Sequence, residues 1–292
     1  MSEKKKILFI VNPISGAHNK AKMIKDIPKL LDNNKFDISI THTKYCGHAA
    51  KIAKNAVDKN MDIVVAVGGD GTVNEIASQL VNTNIALAIV PCGSGNGLAR
   101  DLKISLHYKK AIQLINQLKI KKIDVGICNN QYFFSLAGIG FDAKVAYDFN
   151  RRKKRKFTGY AWAILKTYFR IKNQHFEIEL DHEKMSGTYF FITMANCSQW
   201  GYNVKVAPNA QLDDNILMIN LCKKPSLLSL IPFIIKLLSG KIATSKYCEI
   251  KTATTIAIHA NNKFFYHIDG DAKGISKIVK TTVLHEALLI IV

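Results

Sequence analysis

Acidic residues are scarce: the 292-residue chain carries 22 Asp and Glu against 41 Lys and Arg, a formal net charge of +19 at pH 7. A surplus of that size draws a protein to polyanions, whether nucleic acid, an acidic membrane surface or a phosphorylated ligand, without choosing among them. Long hydrophobic runs are missing too. Met-Ser-Glu-Lys-Lys-Lys leads straight into the apolar residues 7–11, too short a run for a signal peptide. The longest apolar stretch, Leu227–Leu238, is interrupted by Pro232 and Lys236 and falls short of the roughly 18 residues of a spanning helix. Neither secretion nor a membrane span is expected. The six cysteines (46, 92, 128, 197, 222 and 248) form no CxxC pair and stand at no ligand spacing from His, which argues against a sulfur-bound metal. A chain this long can be stabilised by burial alone, so reduced thiols in a cytoplasmic protein are expected rather than disulfides. The nine histidines show no triad spacing, which leaves Ser-His-Asp chemistry without support. Also absent are a GxxxxGK[ST] loop and a GxGxxG after the first strand.

What is present is an ordinary globular composition, 48% apolar and 22% charged, in a length that suits two domains. Over residues 1–125, short β-branched runs at 7–11, 36–42, 63–67 and 86–90 alternate with segments of helical spacing, such as Ala49, Ile52, Ala53, Ala56 and Val57, or Ile76, Ala77 and Leu80. That order, βαβαβαβ, predicts a nucleotide-binding α/β domain with a parallel sheet covered by helices. Over residues 126–292 strand-like runs at 176–180, 189–195, 216–221, 256–259, 264–268 and 288–292 come at short intervals, which predicts a mostly antiparallel β domain. Helices are expected at 157–171 and 226–238, the second of them lining a core or cleft.

The chemistry gathers where the strands of the first domain end, the edge at which open α/β sheets bind ligands. Asn12-Pro13-Ile14-Ser15-Gly16 follows the first strand, Gly68-Gly69-Asp70-Gly71-Thr72 the third, and Pro91-Cys92-Gly93-Ser94-Gly95-Asn96-Gly97 the fourth. Glycine allows close backbone approach, so such a run can turn amide N–H groups inward as an anion nest. Thr72 adds a hydroxyl at the start of a helix whose positive end suits a di- or triphosphate. A carboxylate among phosphate donors needs another task, and holding Mg²⁺ or orienting a hydroxyl are the obvious ones for Asp70. One such loop is most simply a tight βα turn. Three at successive strand ends point to one bound phosphate ligand.

In this order, the Asn12, Gly68 and Pro91 segments resemble those of the diacylglycerol kinase and sphingosine kinase family of lipid kinases. Ile123-Asp124-Val125-Gly126, Gly138-Ile139-Gly140-Phe141-Asp142, Ala207-Pro208-Asn209-Ala210 with Asp213-Asp214, and Asp269-Gly270-Asp271 match later landmarks of the family. A GGDGT segment alone is shared with NAD kinases and phosphofructokinases; the later landmarks separate them. The resemblance implies an NAD-kinase-like first domain holding ATP and a β-rich second domain for the lipid. By family position Asn12, Thr43, Gly69 to Thr72, Asn74 and Ser94 contact the nucleotide. A structural Mg²⁺ falls on the backbone carbonyls of Gln211 and Ile216 and the carboxylate of Asp214. The family's catalytic base lies in a DGE segment, which reads Asp269-Gly270-Asp271 here, so Asp271 is the candidate base, one methylene shorter, and Asp70 the reserve. The implied reaction is Mg-ATP-dependent phosphorylation of a membrane lipid hydroxyl, with diacylglycerol the expected substrate. A sphingosine or ceramide-type acceptor competes, because Ser94-Gly95-Asn96 is followed by Gly97 where many diacylglycerol kinases carry Asp. A catalytically weak lipid- or nucleotide-binding member is the remaining alternative.

The six basic residues 151–156, with Phe157, Tyr160, Trp162, Ile164 and Leu165 beside them, read either as a solvated face or as a dock for anionic headgroups. A nucleic-acid module would explain the charge but not the three glycine-rich loops. The expected setting is therefore cytoplasmic and peripheral to the inner face of the membrane, without nucleic acid, and a homodimer is a compatible assembly state.

Overall fold

A computed structural model describes residues 3–16, 20–150, 166–201 and 204–292, without the side chains of residues 149 and 150. The basic run 151–156 and its aromatic neighbours lie outside the described residues, and of the helix expected at 157–171 only residues 166–171 are described, helical over 166–170. The chain divides into two compact units, Met1–Val125 with His285–Val292, and Gly126–Leu284. The last residues, read from sequence as the close of the β domain, thus belong to the first unit.

Unit 1 alternates strand and helix: β1 (Lys5–Val11), α1 (Lys20–Leu30), β2 (Phe36–His42), α2 (His48–Asp58), β3 (Ile63–Gly68), α3 (Asp70–Leu80), β4 (Ala86–Pro91), α4 (Gly97–Asp101), α5 (Tyr108–Ile115) and β5 (Ile120–Cys128). The strands are parallel in the order β2-β1-β3-β4. β3 and β4 are buried along their whole length, as strands covered on both faces must be. The chain's final residues extend this sheet, with Ile290 parallel to Leu87. Asp124, one of the sequence landmarks, is fully buried and fastens that segment by accepting the N–H of Glu286 and pairing with His285 Nδ1, both at 2.8 Å.

Unit 2 contains β6 (Gln131–Phe133), β7 (Leu136–Gly140), α6 (Phe141–Asn150), β8 (Gln174–Leu180), β9 (Glu183–Tyr189), β10 (Phe191–Ala195), β11 (Leu217–Cys222), α7 (Leu227–Leu238), β12 (Cys248–Ala253), β13 (Thr255–Ile268) and β14 (Asp271–Ile291), whose last residues run into unit 1. Its strands are antiparallel in the order β12-β11-β10-β7-β13-β14, with β8 on β13 and β9 on β8. β8 buries every second residue (Phe176, Ile178, Leu180) against Phe264, Ile256 and Ile258, the alternation that fills a sheet core. The parallel α/β plus antiparallel β architecture is the one expected.

Three expectations need correction. Residues 256–259 and 264–268 are one strand, continuous through a register shift between His259 and Phe264. Cys222 and Cys248 are not reduced but joined in a disulfide, because β11 and β12 pair them directly opposite each other with Cα atoms 4.2 Å apart. Their separation of 26 residues in sequence concealed a cross-strand pair. Finally, α7 lines a core with one face only: Phe233 is buried in it with Leu230 and Leu237 against it, while Leu228 on the other face is 94% exposed.

Candidate active site

The register of the parallel sheet brings the glycine-rich loops of unit 1 together. Val11 lies opposite Val67, and Gly68 opposite Pro91, so the loops leaving β1, β3 and β4 start side by side. Asn12 donates from Nδ2 to Thr72 Oγ1 at 2.9 Å and accepts the Ile14 N–H on Oδ1 at 3.2 Å, which folds the first loop onto the start of α3. Ser15 Oγ donates to the Asn12 carbonyl at 3.0 Å. Gly16 has a left-handed φ of +63°, and a Cβ there would collide with the carbonyl oxygen of Cys92. Gly93 lies equally close to the second loop: its Cβ would stand 2.6 Å from the Gly69 Cα. Side chains are thus excluded by the approach of three backbones.

The third loop is closed by Asn96, whose own φ is +53°. Its side chain accepts the Gly93 N–H at 3.0 Å and donates to the Gly93 carbonyl at 2.8 Å. Asp70 accepts the N–H groups of Asn96 at 2.8 Å and of Gly97 at 2.7 Å, while Arg100 Nε donates to the Gly95 carbonyl at 2.8 Å. The task found for the Asp70 carboxylate is therefore to clamp the second glycine loop to the third, using one lone pair on each oxygen. α3 begins at Asp70, two residues before Thr72, and its N-cap residue Gly69 offers no side-chain cap. The first turn, including exposed Gly71, presents its positive end among the loops. Ser94 is exposed, Asn74 is half-buried on α3, and Thr43 is half-buried just beyond β2, its N–H bonded to the Val11 carbonyl at 2.9 Å. Glu75, which the sequence reading passed over, accepts the N–H groups of Gly47 at 3.0 Å and Ala49 at 3.2 Å and so anchors α2 beside α3. A Glu one turn inside a helix carries no signal of this role.

Unit 2 holds the candidate base. β13 and β14 are joined by Asp269 (φ 46°) and Gly270 (φ 79°), with Ile268 paired to Asp271. Two left-handed central residues make a type I′ hairpin, whose Asp-Gly signal was present in the sequence. Asp269 accepts three backbone N–H groups, from Phe134 at 3.0 Å, Ser135 at 2.8 Å and Leu136 at 3.0 Å, which fixes the hairpin to β7. Asp271 then opens β14 with its side chain 65% exposed and Oδ2 at 2.9 Å from Lys273 Nζ. Behind the hairpin lies a buried pair: His267 Nε2 is 3.2 Å from Asp142 Oδ2, their side chains 4% and 7% exposed. Gly270 donates its N–H to His267 Nδ1 at 3.3 Å, so Nδ1 is an acceptor and Nε2 carries the hydrogen directed at Asp142. Thr193 Oγ1 donates to the same carboxylate oxygen at 3.3 Å. A side chain at Gly138 would strike both Asp142 and His267, which explains the Gly138 to Asp142 landmark as room for this pair.

The residues expected to hold a structural Mg²⁺ lie elsewhere in unit 2, on the exposed loop that enters β11. Asp214 Oδ1 accepts the Ile216 N–H at 3.1 Å across Asn215, whose φ is +59°. The expected ligands, the carbonyls of Gln211 and Ile216 and the Asp214 carboxylate, are all oxygen donors, the kind a hard cation takes. Among the described residues no three His, Cys, Asp or Glu side chains cluster as metal ligands, so a cation here depends on those backbone oxygens.

The chain is similar to known proteins over nearly its whole length. Residues 6–128 match the diacylglycerol kinase catalytic domain, and residues 135–292 match the YegS C-terminal NAD kinase beta sandwich-like domain. A diacylglycerol kinase of Bacillus subtilis (strain 168) is 27% identical over 278 residues, covering 92% of this chain and 91% of that protein. One from Staphylococcus saprophyticus is 25% identical over 275 residues, with 93% and 90% covered. The crystal structure of a diacylglycerol kinase from Bacillus anthracis str. Sterne, 22% identical, shares the fold with a TM-score of 0.78 over 100% of this chain and 98% of that one. With both halves of the chain matched in the expected order, the protein belongs to the diacylglycerol kinase family of lipid kinases.

Proposed function

We propose that the chain transfers the γ-phosphoryl group of ATP to the free hydroxyl of diacylglycerol, giving phosphatidic acid and ADP. The observation that supports nucleotide binding is the meeting of three backbones at Gly16, Gly69 and Gly93, where a Cβ would strike backbone at Gly16 and Gly93 and, built at Gly69, crowd the Gly93 Cα at 3.1 Å, beside an uncapped helix start that adds its positive end. In this cradle open space lies at Gly71, where a built Cβ meets nothing within 4 Å, and the first-turn N–H groups of α3 are donors suited to phosphate oxygens. Mg²⁺, when bound with the nucleotide, neutralises the phosphates. Phosphoryl transfer then needs positioning and a group to take the hydroxyl proton as the new P–O bond forms. Asp271 is the residue for that task. It is an exposed carboxylate at a fixed point of a hairpin, held behind by His267 and Asp142. Asp70 has both oxygens occupied in the loop clamp and serves the cradle instead. Asp214, with the Gln211 and Ile216 carbonyls, would hold a second, structural cation. The setting that follows is the cytoplasmic face of a membrane.

A second reading keeps the reaction and changes the acceptor to a long-chain base or ceramide. It rests on Gly97, whose N–H binds Asp70 at the position where many relatives of the diacylglycerol type carry Asp. Purified protein incubated with Mg-ATP and diacylglycerol, sphingosine or ceramide in mixed micelles separates the two. Phosphatidic acid as the main product supports the proposal. A phosphorylated long-chain base with no phosphatidic acid transfers the assignment, and turnover of none of them overturns it.

A further inference from the structure

We infer that α7 is the surface by which this enzyme docks on an anionic bilayer, its apolar face entering the headgroup boundary while lysines at both ends hold the lipid phosphates. The inference deepens the proposed reaction by naming how the enzyme reaches a membrane-borne substrate. α7 reads Leu-Leu-Ser-Leu-Ile-Pro-Phe-Ile-Ile-Lys-Leu-Leu, apolar nearly all round. One face, Leu230, Phe233 and Leu237, packs on the aromatic cluster of Tyr168, Phe190 and Phe191. The other is bare: Leu227 is 62% exposed, Leu228 94%, Ile231 70%, Ile235 59% and Leu238 58%. Residues 228, 231, 235 and 238 follow helical spacing, so they form one stripe. A contiguous apolar stripe of this kind marks an interaction site.

The surroundings choose the partner. From residue 223 to residue 248 there are five lysines and no Asp or Glu. Lys223 is exposed ahead of the helix, and Lys241 and Lys246 are exposed after it. The segment carrying the latter two is tied to α7: Tyr247 donates to Ser229 Oγ at 2.9 Å, and Lys236 Nζ donates to the Thr244 carbonyl at 2.7 Å. The cations therefore keep a fixed place beside the apolar stripe, the arrangement of an interfacial helix on an acidic leaflet. A second copy of the chain fits poorly. A helix of this length is about 18 Å long and about 10 Å wide, so its face offers roughly 200 Å², against about 800 Å² per partner in a stable dimer. A two-fold contact would also set lysines against lysines.

The test is sedimentation of the full chain with vesicles of equimolar phosphatidylglycerol and phosphatidylcholine, against phosphatidylcholine alone, without ATP or diacylglycerol. Strong binding to the mixed vesicles that weakens with salt is expected. Leu228→Glu with Ile231→Glu should lower the partition coefficient by about tenfold or more, and Lys241→Ser with Lys246→Ser by about thirtyfold, at about 1 kcal/mol per cation. Both variants change exposed side chains and should melt like wild type. They should keep wild-type turnover of a dispersed short-chain diacylglycerol while losing it on vesicles. Equal vesicle binding by wild type and the Leu228/Ile231 variant overturns the inference, as does a change from dimer to monomer in ultracentrifugation with vesicle binding unaltered. Because binding is read without substrate, this failure is distinct from failure of the proposed reaction.

Discussion

Replacing Gly71 by Ala separates a phosphate cradle from a mere tight turn. A Cβ built at Gly71 meets nothing within 4 Å, and the residue is exposed inside the first turn of α3. The free protein should therefore accept the methyl group. Ala is the better helix former by up to about 1 kcal/mol, which for a domain of this size raises Tm by about 2–4 °C at most. Nucleotide binding should respond in the opposite direction. A methyl group on the ligand side of the backbone would hold the phosphates away from the first-turn N–H groups, and one charge-assisted hydrogen bond is lost at about 1.5–3 kcal/mol. The Kd for Mg-ATP should rise about tenfold to hundredfold. Calorimetric titration with Mg-ATP, beside a thermal melt of the same sample, gives both numbers. Unchanged affinity in a variant that melts at or above wild type would refute the cradle, because it would place the phosphates elsewhere.

Other parts of the account can be tested as directly. His267→Ala removes one hydrogen bond from the buried Asp142, which keeps those from Thr193 and Ala143, so it should destabilise the fold by about 2 kcal/mol and lower kcat far more than the KM for ATP, read from melts and steady-state kinetics. His267→Gln, able to keep hydrogen bonds to Asp142 and Gly270, should recover part of both losses. Thiol titration of the unreduced, denatured chain should find four reactive cysteines, Cys46, Cys92, Cys128 and Cys197, and six would remove the Cys222–Cys248 bond from the account. Hydrogen bonding with the Ser226 and Ser229 hydroxyls brings the Tyr247 hydroxyl down from 10.0 to about 8. A lowered folded-state value means that ionisation favours the folded state, an effect complete above about pH 10 and lost as pH falls through about 8. Phenolate absorbance should show one early-titrating tyrosine near pH 8, absent from Tyr247→Phe.

The convergence of the three glycine-rich loops was legible because its signals are local. Strand ends, glycine runs and Thr72 lie within a few residues of one another, and a parallel sheet brings successive strand ends together without further information. The function given to Asp70 was less legible, since its partners Asn96 and Gly97 sit 26 and 27 residues away and accept no reading from spacing. The same applies to His267 and Asp142, 125 residues apart and joined by antiparallel register between β13 and β7. Cross-strand register likewise hid the disulfide. The Asp269-Gly270 turn was legible and was passed over in favour of its neighbour's chemistry. For α7, an apolar 12-residue run is equally a core helix or an interfacial one. Only the tertiary fold, which covers Phe233 and leaves Leu228 bare, decides.

The most direct test of the central claim is the rate of phosphate transfer from ATP to diacylglycerol in mixed micelles by wild type and by Asp271→Asn, measured side by side with ATP affinity. Removing the proton acceptor should lower kcat by about 10²-fold or more while leaving nucleotide binding intact. Wild-type protein that phosphorylates no lipid alcohol, or an Asp271→Asn variant as fast as wild type, would contradict it.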